Sequence, residues 1–514
     1  MPYQRYKYAL SVLGGLSLAL AWLSPGTNLG ALFGCLACAI FVLHIWIEEK
    51  VYYSFFATGV VAHLIAFHWL NRTIADFGGL SQPLPLIGFI LFCLASSLQF
   101  PLFVLFYRNL PSLTERLNLR AALAWMLAEI IPIKIFPWHL GHSQLAWSYL
   151  SFSASWGSSL VIAFLMFWAF ESIFKFLFLR QRRWALLAGP LALISALVVN
   201  AILMSKLDQT IAESAQIDTA IIQANIGIHE KSNLKYFEIN RERYEELSQQ
   251  VTASGDELLV IWPETAISKF LYTESLYFPV IMRTLTSTPN QAFLVGALTA
   301  ANQKTLYNSA LLTSNLNEPA QVYHKRILMP FGEYTPLANI FPFIKNLNPQ
   351  AGEFSAGESA KIFSKTFASG ITLKAAPLIC YEDVISSPAR ESTELGANLL
   401  VNITNDAWFG QTVAPRQHNL IAAFRAIENQ RYLIRSTNSG LTAIVDPFGQ
   451  TTSELPIFSE GILRAKVPLL SGRTLFTHLG NIPWWILSGL VLALVVVSKS
   501  KKIVRKIRTH TGKK

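Results

Sequence analysis

Long apolar runs fill both ends of this 514-residue chain and are interrupted in its second half. Stretches of about 16–25 residues near 8–23, 28–47, 51–70, 84–107, 121–138, 157–179, 184–204 and 482–497 hold few charged side chains. A bilayer core takes roughly 20 residues of helix, so these runs predict eight transmembrane helices, the last of them short. The first run is followed too closely by other spans to read as a removable signal peptide. Residues 205–481 have the mixture of an ordinary globular domain. The expected fold is a multi-pass α-helical membrane bundle carrying an extracytoplasmic α/β domain. Its parts are a seven-helix membrane domain over 1–204, a globular domain over 205–481, and a final helix with a basic tail over 482–514.

The formal charge of +11 invites a nucleic-acid reading, but its distribution excludes one. Residues 205–481 hold 22 Lys and Arg against 25 Asp and Glu, whereas the rest of the chain holds 20 basic and 6 acidic residues. The surplus therefore flanks the apolar runs, where Lys and Arg mark cytoplasmic loops, and the globular part has no excess with which to neutralise phosphates. Arg5 and Lys7 precede the first run; Arg108, Arg116 and Arg120 follow the fourth; Arg180, Arg182 and Arg183 follow the sixth; the tail is lysine-rich. Loops of the opposite parity, 24–27 and 139–156, contain neither Lys nor Arg. This asymmetry predicts cytoplasmic termini and a globular domain on the outer side of the membrane.

Within 205–481, short β-rich runs such as Thr219–Asn225, Leu258–Trp262, Ala292–Leu298, Asn308–Thr313, Thr372–Ile379, Leu399–Ile403, Leu433–Ser436 and Leu441–Val445 alternate with helical patterns at 235–250 and 415–430. Such alternation predicts helices layered on sheets. Of four cysteines, Cys35, Cys38 and Cys93 lie in apolar runs, and only Cys380 belongs to the globular part. Cys35 and Cys38 are spaced as Cys-x-x-Cys, but no further ligands stand near enough in sequence to suggest a metal.

Three polar residues end strand-like runs. Glu264 follows Trp262-Pro263, Lys325 lies between His324 and Arg326, and Cys380 follows Leu378-Ile379 and precedes Tyr381-Glu382-Asp383. A carboxylate, an ammonium and a thiol are the parts required for acyl transfer through a thioester. Each also has a plainer reading: a helix-start carboxylate, a solvated basic strand end, a buried structural thiol. No one of the three decides the matter alone.

Their surroundings do more. Pro-Glu-Thr-Ala from Pro263, Leu-Met-Pro-Phe-Gly-Glu-Tyr-Thr-Pro from Leu328, Ile-Cys-Tyr-Glu from Ile379, Asn-Ile-Thr-Asn-Asp-Ala-Trp-Phe-Gly from Asn402 and Arg-Ser-Thr-Asn-Ser-Gly from Arg435 resemble the nitrilase (carbon–nitrogen hydrolase) superfamily. Together with the apolar runs, Phe77-Gly78-Gly79 and Phe136-Pro137-Trp138, they resemble its membrane-embedded branch. The resemblance covers nearly the whole chain. It implies an α-β-β-α sandwich with Glu264, Lys325 and Cys380 as the catalytic triad and Glu333, Tyr381 and Glu382 in support. Ser268, Met329 and Thr404 depart from the common pattern, and the tryptophan expected soon after Asn225 is absent, with Leu234, Lys235 and Tyr236 there instead.

The resemblance further implies a bacterial inner-membrane acyltransferase with a periplasmic catalytic domain. It would move a fatty acyl chain from the sn-1 position of a phospholipid, expected to be phosphatidylethanolamine, to Cys380. From there the chain would pass to the α-amine of S-diacylglyceryl-cysteine in an apolipoprotein, the last step of lipoprotein maturation. No metal or organic cofactor is expected, the partners are lipid and lipoprotein rather than nucleic acid, and the protein is expected to be a monomer. A membrane-tethered amidase acting on a small amide is the nearest alternative, and a transporter or receptor with a degenerate sensor domain the more distant one. Two aromatic-rich stretches, Phe270, Leu271, Tyr272, Leu276, Tyr277 and Phe278, and Leu337, Ile340, Phe341, Phe343 and Ile344, are expected to be membrane-dipping lids. Glu129 and Lys134, in the fifth run, are expected to pair or to face a cleft.

Overall fold

The computed structural model describes residues 6–47, 51–179, 184–231, 233–252, 255–272, 290–302, 304–314, 320–336, 338, 340–341 and 353–511. The chain divides into two compact units. One comprises Met1–His68, Ile90–Met204 and Leu479–Lys514, the other Trp69–Phe89 and Ser205–His478.

The first unit is helical. Asn28–Ile47, Leu84–Asn109, Ser159–Phe178, Ala185–Glu213 and Ile482–Ser500 are long and apolar enough to cross a bilayer. Tyr8–Leu23 is a shorter apolar helix, and Tyr52–Ala66 is bent by 57° from Leu70–Asp76. The expected fifth span over 121–138 is not one long helix. Its helix, Arg120–Ile130, has only 11 residues and stops just before Pro132, which supplies no backbone N–H to continue the ladder. A 3-10 turn, Leu140–Gln144, and short helices Ser148–Ser151 and Ala154–Gly157 follow. Glu129 and Lys134 do not pair at contact distance. Buried Glu129 accepts the Leu140 N–H at 2.7 Å and lies 3.4 Å from His139 Nδ1, and Lys134 donates to the Trp138 carbonyl.

Packing here depends on aromatic rings and small residues. Buried Trp125 stacks on Phe167 at 4.8 Å and on Phe41 at 5.5 Å between ring centroids. Gly34 lets its helix approach the Leu140–Gln144 turn, since a Cβ there would stand 2.1 Å from Ser143 Oγ.

The second unit is a two-sheet sandwich. Its strands are β1 (Gln216–Gln223), β2 (Leu258–Ile261), β3 (Ile267–Tyr272), β4 (Gln291–Asn302), β5 (Thr305–Thr313), β6 (Gln321–His324), β7 (Phe363–Thr366), β8 (Thr372–Ile379), β9 (Leu399–Thr404), β10 (Leu433–Thr437), β11 (Ala443–Val445), β12 (Thr451–Glu454) and β13 (Gly461–Pro468). One sheet has the order β13-β1-β2-β4-β5-β6 with β3 beside β4; the other runs β12 through β7 in sequence order. The pairs β1–β2, β2–β4, β8–β9 and β9–β10 are parallel, so the carboxyl ends of the central strands of each sheet lie together.

Period-two alternation builds the layers. Ile217, Ile221, Leu259, Ile261, Ala292 and Leu294 join Ile379, Val401, Ile403 and Ile434 of the other sheet in the central core. Their neighbours Ala220, Ile222, Val260, Phe293 and Val295 point the other way, against Phe237, Tyr244, Leu247 and Val251 of the helix Phe237–Thr252. The helices Ser386–Glu394 and Ala414–Asn429 pack on β8 and β10. The result is α-β-β-α. Residues Trp69–Phe89, read from the sequence as part of the membrane domain, pack here too: Trp69 Nε1 donates to Gln417 Oε1 at 2.9 Å, and the Thr73 hydroxyl donates to the Trp408 carbonyl.

Candidate active site

Each residue singled out for chemistry follows the carboxyl end of a strand: Glu264 after β2, Lys325 directly after β6, Cys380 directly after β8. Strand ends beside parallel neighbours, as at β2 and β8, leave side chains free to project into the space beyond, whereas Lys325 ends the antiparallel edge strand β6. The backbone is strained where they do so, with Thr265 at φ 48° and Cys380 at φ 50°, both non-glycine residues in the left-handed region. Such geometry costs of order 1–3 kcal/mol and persists only where the surroundings enforce it. Gly296 of β4 lies under the Glu264 turn, and a Cβ there would meet the Pro263 carbonyl oxygen at 2.3 Å and Glu264 Cα at 2.7 Å.

The structure brings Glu264, Lys325, Glu333 and Cys380 together. Lys325 Nζ lies 2.6 Å from Glu333 Oε2 and 3.8 Å from Glu264 Oε1, with Lys325 only 1% exposed. Glu333 also accepts the Met329 N–H at 2.8 Å, which closes the turn that carries it. Asn308 Nδ2 donates to both carboxylates, at 2.7 Å to Glu264 and 3.1 Å to Glu333, and its main-chain carbonyl accepts the Lys325 backbone N–H at 2.8 Å. The two carboxylates thus share one side-chain amide beside a buried ammonium.

The electrostatics suit proton transfer from thiol to carboxylate. Burial raises the Glu264 carboxyl above its ordinary value, with Lys325 opposing and Glu333 assisting. Lys325 stays cationic despite burial because Glu333, Cys380 and Glu264 all favour its charge. Burial, followed by the negative charge of Glu264, holds the Cys380 thiol protonated at rest; Lys325 and a hydrogen bond with Thr404 favour the thiolate. The thiolate therefore forms only as the proton leaves.

Tyr381 is buried, its hydroxyl pushed up to about 12 by that burial and by Tyr334. Glu382 is fully buried. Its Oε1 accepts from Tyr323 Oη at 2.8 Å, Arg326 N at 2.7 Å and Ile327 N at 3.2 Å, and its Oε2 accepts from Ile379 N at 2.8 Å. It clamps the Cys380 turn to the segment after Lys325.

Two residues that the sequence reading passed over belong to this site. Asn308 was visible only as a polar residue in an apolar run. Lys231, on the short helix Ile228–Lys231, donates from Nζ to the Glu264 carbonyl at 2.6 Å. Burial brings its ammonium down to about 8, against the attraction of Glu264 and Cys380. Of the expected lids, Leu271 is a buried residue of β3 and Phe270 is half-buried beside it, so this piece is sheet rather than lid. Ile340 and Phe341 are exposed. Leu276, Tyr277, Phe278, Leu337, Phe343 and Ile344 lie outside the described residues.

The two-sheet sandwich thus gathers a thiol, a lysine and two glutamates beside its strand ends, the groups that nucleophilic acyl chemistry calls for. Residues 218–474 match the carbon–nitrogen hydrolase family, half of the chain, and the chain belongs to that family. Residues 14–170 match the apolipoprotein N-acyltransferase N-terminal domain. Proteins called apolipoprotein N-acyltransferase from Geobacter metallireducens, Shewanella oneidensis and Vibrio vulnificus are 29%, 28% and 29% identical to it. The alignments cover 97%, 90% and 89% of this chain and 96%, 90% and 90% of the relatives. Among solved structures, a nitrilase-superfamily protein of Saccharomyces cerevisiae aligns at 16% identity over 52% of this chain and 94% of its own, with a TM-score of 0.38.

Proposed function

We propose that this chain transfers a fatty acyl group to the N-terminal amine of apolipoproteins, the last step of lipoprotein maturation. The full-length likeness to proteins of that name supports the substrate, and the apolar helices support a membrane setting. The single observation behind the chemistry is Lys325 gripped by Glu333 and Glu264 while all three act on Cys380.

In the first half-reaction Cys380 attacks the sn-1 ester carbonyl of a phospholipid as Glu264 takes the thiol proton. The Lys325 ammonium faces the oxygen on which negative charge develops; such a donor is worth about 2.7–4 kcal/mol. Glu264 returns the proton to the departing lysophospholipid and leaves an acyl thioester. In the second half, the α-amine of a diacylglyceryl-cysteine attacks that thioester, loses its proton to Glu264, and restores the thiol. An α-amine has an ordinary pKa of about 7.7–8.0, so a base at hand raises the reactive fraction at neutral pH. Glu333 keeps Lys325 charged, and Tyr381 and Glu382 set the shape of the nucleophile's turn.

The loop charges support cytoplasmic termini, a periplasmic catalytic domain and an inner-membrane location, so both substrates would reach the site from the outer leaflet. Phosphatidylethanolamine as donor and a monomeric enzyme complete the reading. Mass spectrometry of Cys380 peptides tests it. Incubation with phospholipid is expected to leave an acyl mass that hydroxylamine removes, with lysophospholipid released, and Cys380→Ala is expected to show neither. Hydrolysis of small amides without acylation by phospholipid would favour the amidase alternative instead.

A further inference from the structure

Next to the Cys380 turn stand four buried charged side chains to which the acyl transfer just described gives no task. Asp383 lies on the turn Cys380–Val384, Asp406 on the turn Asp406–Phe409, His418 on the helix Ala414–Asn429 and Arg435 on β10. His418 bridges the two carboxylates, with Nε2 2.7 Å from Asp383 Oδ1 and Nδ1 2.9 Å from Asp406 Oδ1. Arg435 bridges them again, with Nε 3.1 Å from Asp383 Oδ2 and Nη2 3.6 Å from Asp406 Oδ2. None of the four side chains is more than 9% exposed.

A neutral imidazole has one N–H and would turn a lone pair on one of its two carboxylate partners. Two short contacts therefore call for the doubly protonated ring. Two carboxylates, one imidazolium and one guanidinium also make a neutral cluster. Loss of the imidazolium proton would leave an uncompensated negative charge buried beside the turn on which a thiolate must form. Burial works against the His418 charge, but Asp383 and Asp406 outweigh it and hold the ring protonated up to about 9. Those two aspartates and Arg435 are the charged groups that face it from the neighbouring elements, and Phe409 closes one side with a ring edge.

Thr404 joins this cluster to the nucleophile. Its side chain favours the Cys380 thiolate, and its hydroxyl donates to Asp406 Oδ1 at 3.3 Å. A hydroxyl has one proton to give. While the thiol is intact, Thr404 donates to Asp406. When the thiolate forms, that proton can turn to the sulfur, because Asp406 keeps His418 and Arg435.

We propose that His418 is a positioning residue for Cys380, a cation that ties the nucleophile's turn to the Thr404–Asp406 arm and leaves Thr404 free to donate to the thiolate. This deepens the acyl-transfer reading and rests on Cys380 as the nucleophile.

The test measures Cys380 acylation by phospholipid in the full-length, detergent-solubilised protein from about pH 6 to about pH 10. Wild type, His418→Asn and Asp383→Asn are compared, with Tm recorded for each. The wild-type rate is expected to fall as pH rises through about 9. His418→Asn is expected to be slower by about tenfold or more at neutral pH and to lack that fall. Asp383→Asn, which removes one of the two carboxylates that hold the proton, moves the fall to lower pH. A level wild-type profile overturns the proposal, and so does an Asp383→Asn profile that falls where the wild type does. These two readings decide the matter even if His418→Asn does not fold. A His418→Asn protein of lower Tm that keeps the wild-type fall would make the residue structural only. Failure of the acyl-transfer reading looks different: no acyl mass on Cys380 in any protein at any pH. Iodoacetamide alkylation, which needs the thiolate but no lipid, then carries the comparison, and an unchanged rate in His418→Asn overturns the proposal.

Discussion

Lys325 is held chiefly by Glu333: its Nζ is 2.6 Å from Glu333 Oε2 and 3.8 Å from the nearer oxygen of Glu264. The closer contact secures the charge on Lys325. The looser one leaves Glu264 able to take a proton without losing its main partner. Replacing Glu333 by Gln would remove the anion and keep the shape, and a buried ammonium without its counterion reverts toward the neutral amine. The expected result is a loss of about 10²-fold or more in Cys380 acylation, read by single-turnover mass spectrometry, with lipid affinity little changed. A near-normal rate would mean that Glu264 alone suffices for Lys325.

Gly296→Ala tests the floor of the Glu264 turn. The clashing atoms, Pro263 O and Glu264 Cα, are backbone and cannot rotate away. Overpacking of this kind costs about 1–3 kcal/mol, and the relief available is to push Glu264 out of place. A lower Tm together with slower acylation is expected. Unchanged values of both would show that β4 yields instead.

The Glu382 clamp predicts a graded series. Tyr323→Phe removes one of its four donors and is expected to cost about 1 kcal/mol with acylation nearly intact. Glu382→Ala strands the N–H groups of Ile379, Arg326 and Ile327 in a buried place. It is expected to cost about 3 kcal/mol or more and to abolish acylation by releasing the Cys380 turn. Thermal unfolding beside the acylation assay separates the two effects, and equal losses from both substitutions would contradict the clamp.

Lys231 predicts a pH dependence of stability. Its folded pKa, about 8, lies below the ordinary lysine value, so the folded protein binds fewer protons than the unfolded chain in between. Stability from this group therefore rises with pH from about 8 to about 10.4, where the unfolded lysine titrates. Lys231→Met is expected to flatten the rise in Tm over that window relative to wild type. Parallel profiles would show that the ammonium is not under strain.

Much of this was legible in local pattern. Strands such as Thr372–Ile379 and Leu399–Thr404 stand where alternating or continuous apolar runs ended in polar turns, and the helix Ala414–Asn429 follows its apolar spacing. Glu264, Lys325 and Cys380 stood out because each closes such a run beside distinctive Pro and aromatic neighbours. The break after Ile130 was less legible: the apolar run continues through it, and only Pro132 marked the stop. β3 was hidden because Phe270 and Leu271 are as apolar as a membrane-facing loop would be, and only their pairing with β4 makes them sheet.

Composition and spacing along the chain were enough for the apolar helices, the alternation of strands and helices, and the order carboxylate, ammonium, thiol. These depend on residues within a few positions of one another, where side-chain periodicity speaks directly. What joins Lys231 to Glu264, Asn308 to two carboxylates, and His418 to Asp383 and Asp406 spans from 12 to 44 residues of sequence. Such contacts depend on which strand ends lie side by side and on which side chains lose water together. Only the packed sandwich decides that, because a buried charge takes its partner from whatever the fold places beside it.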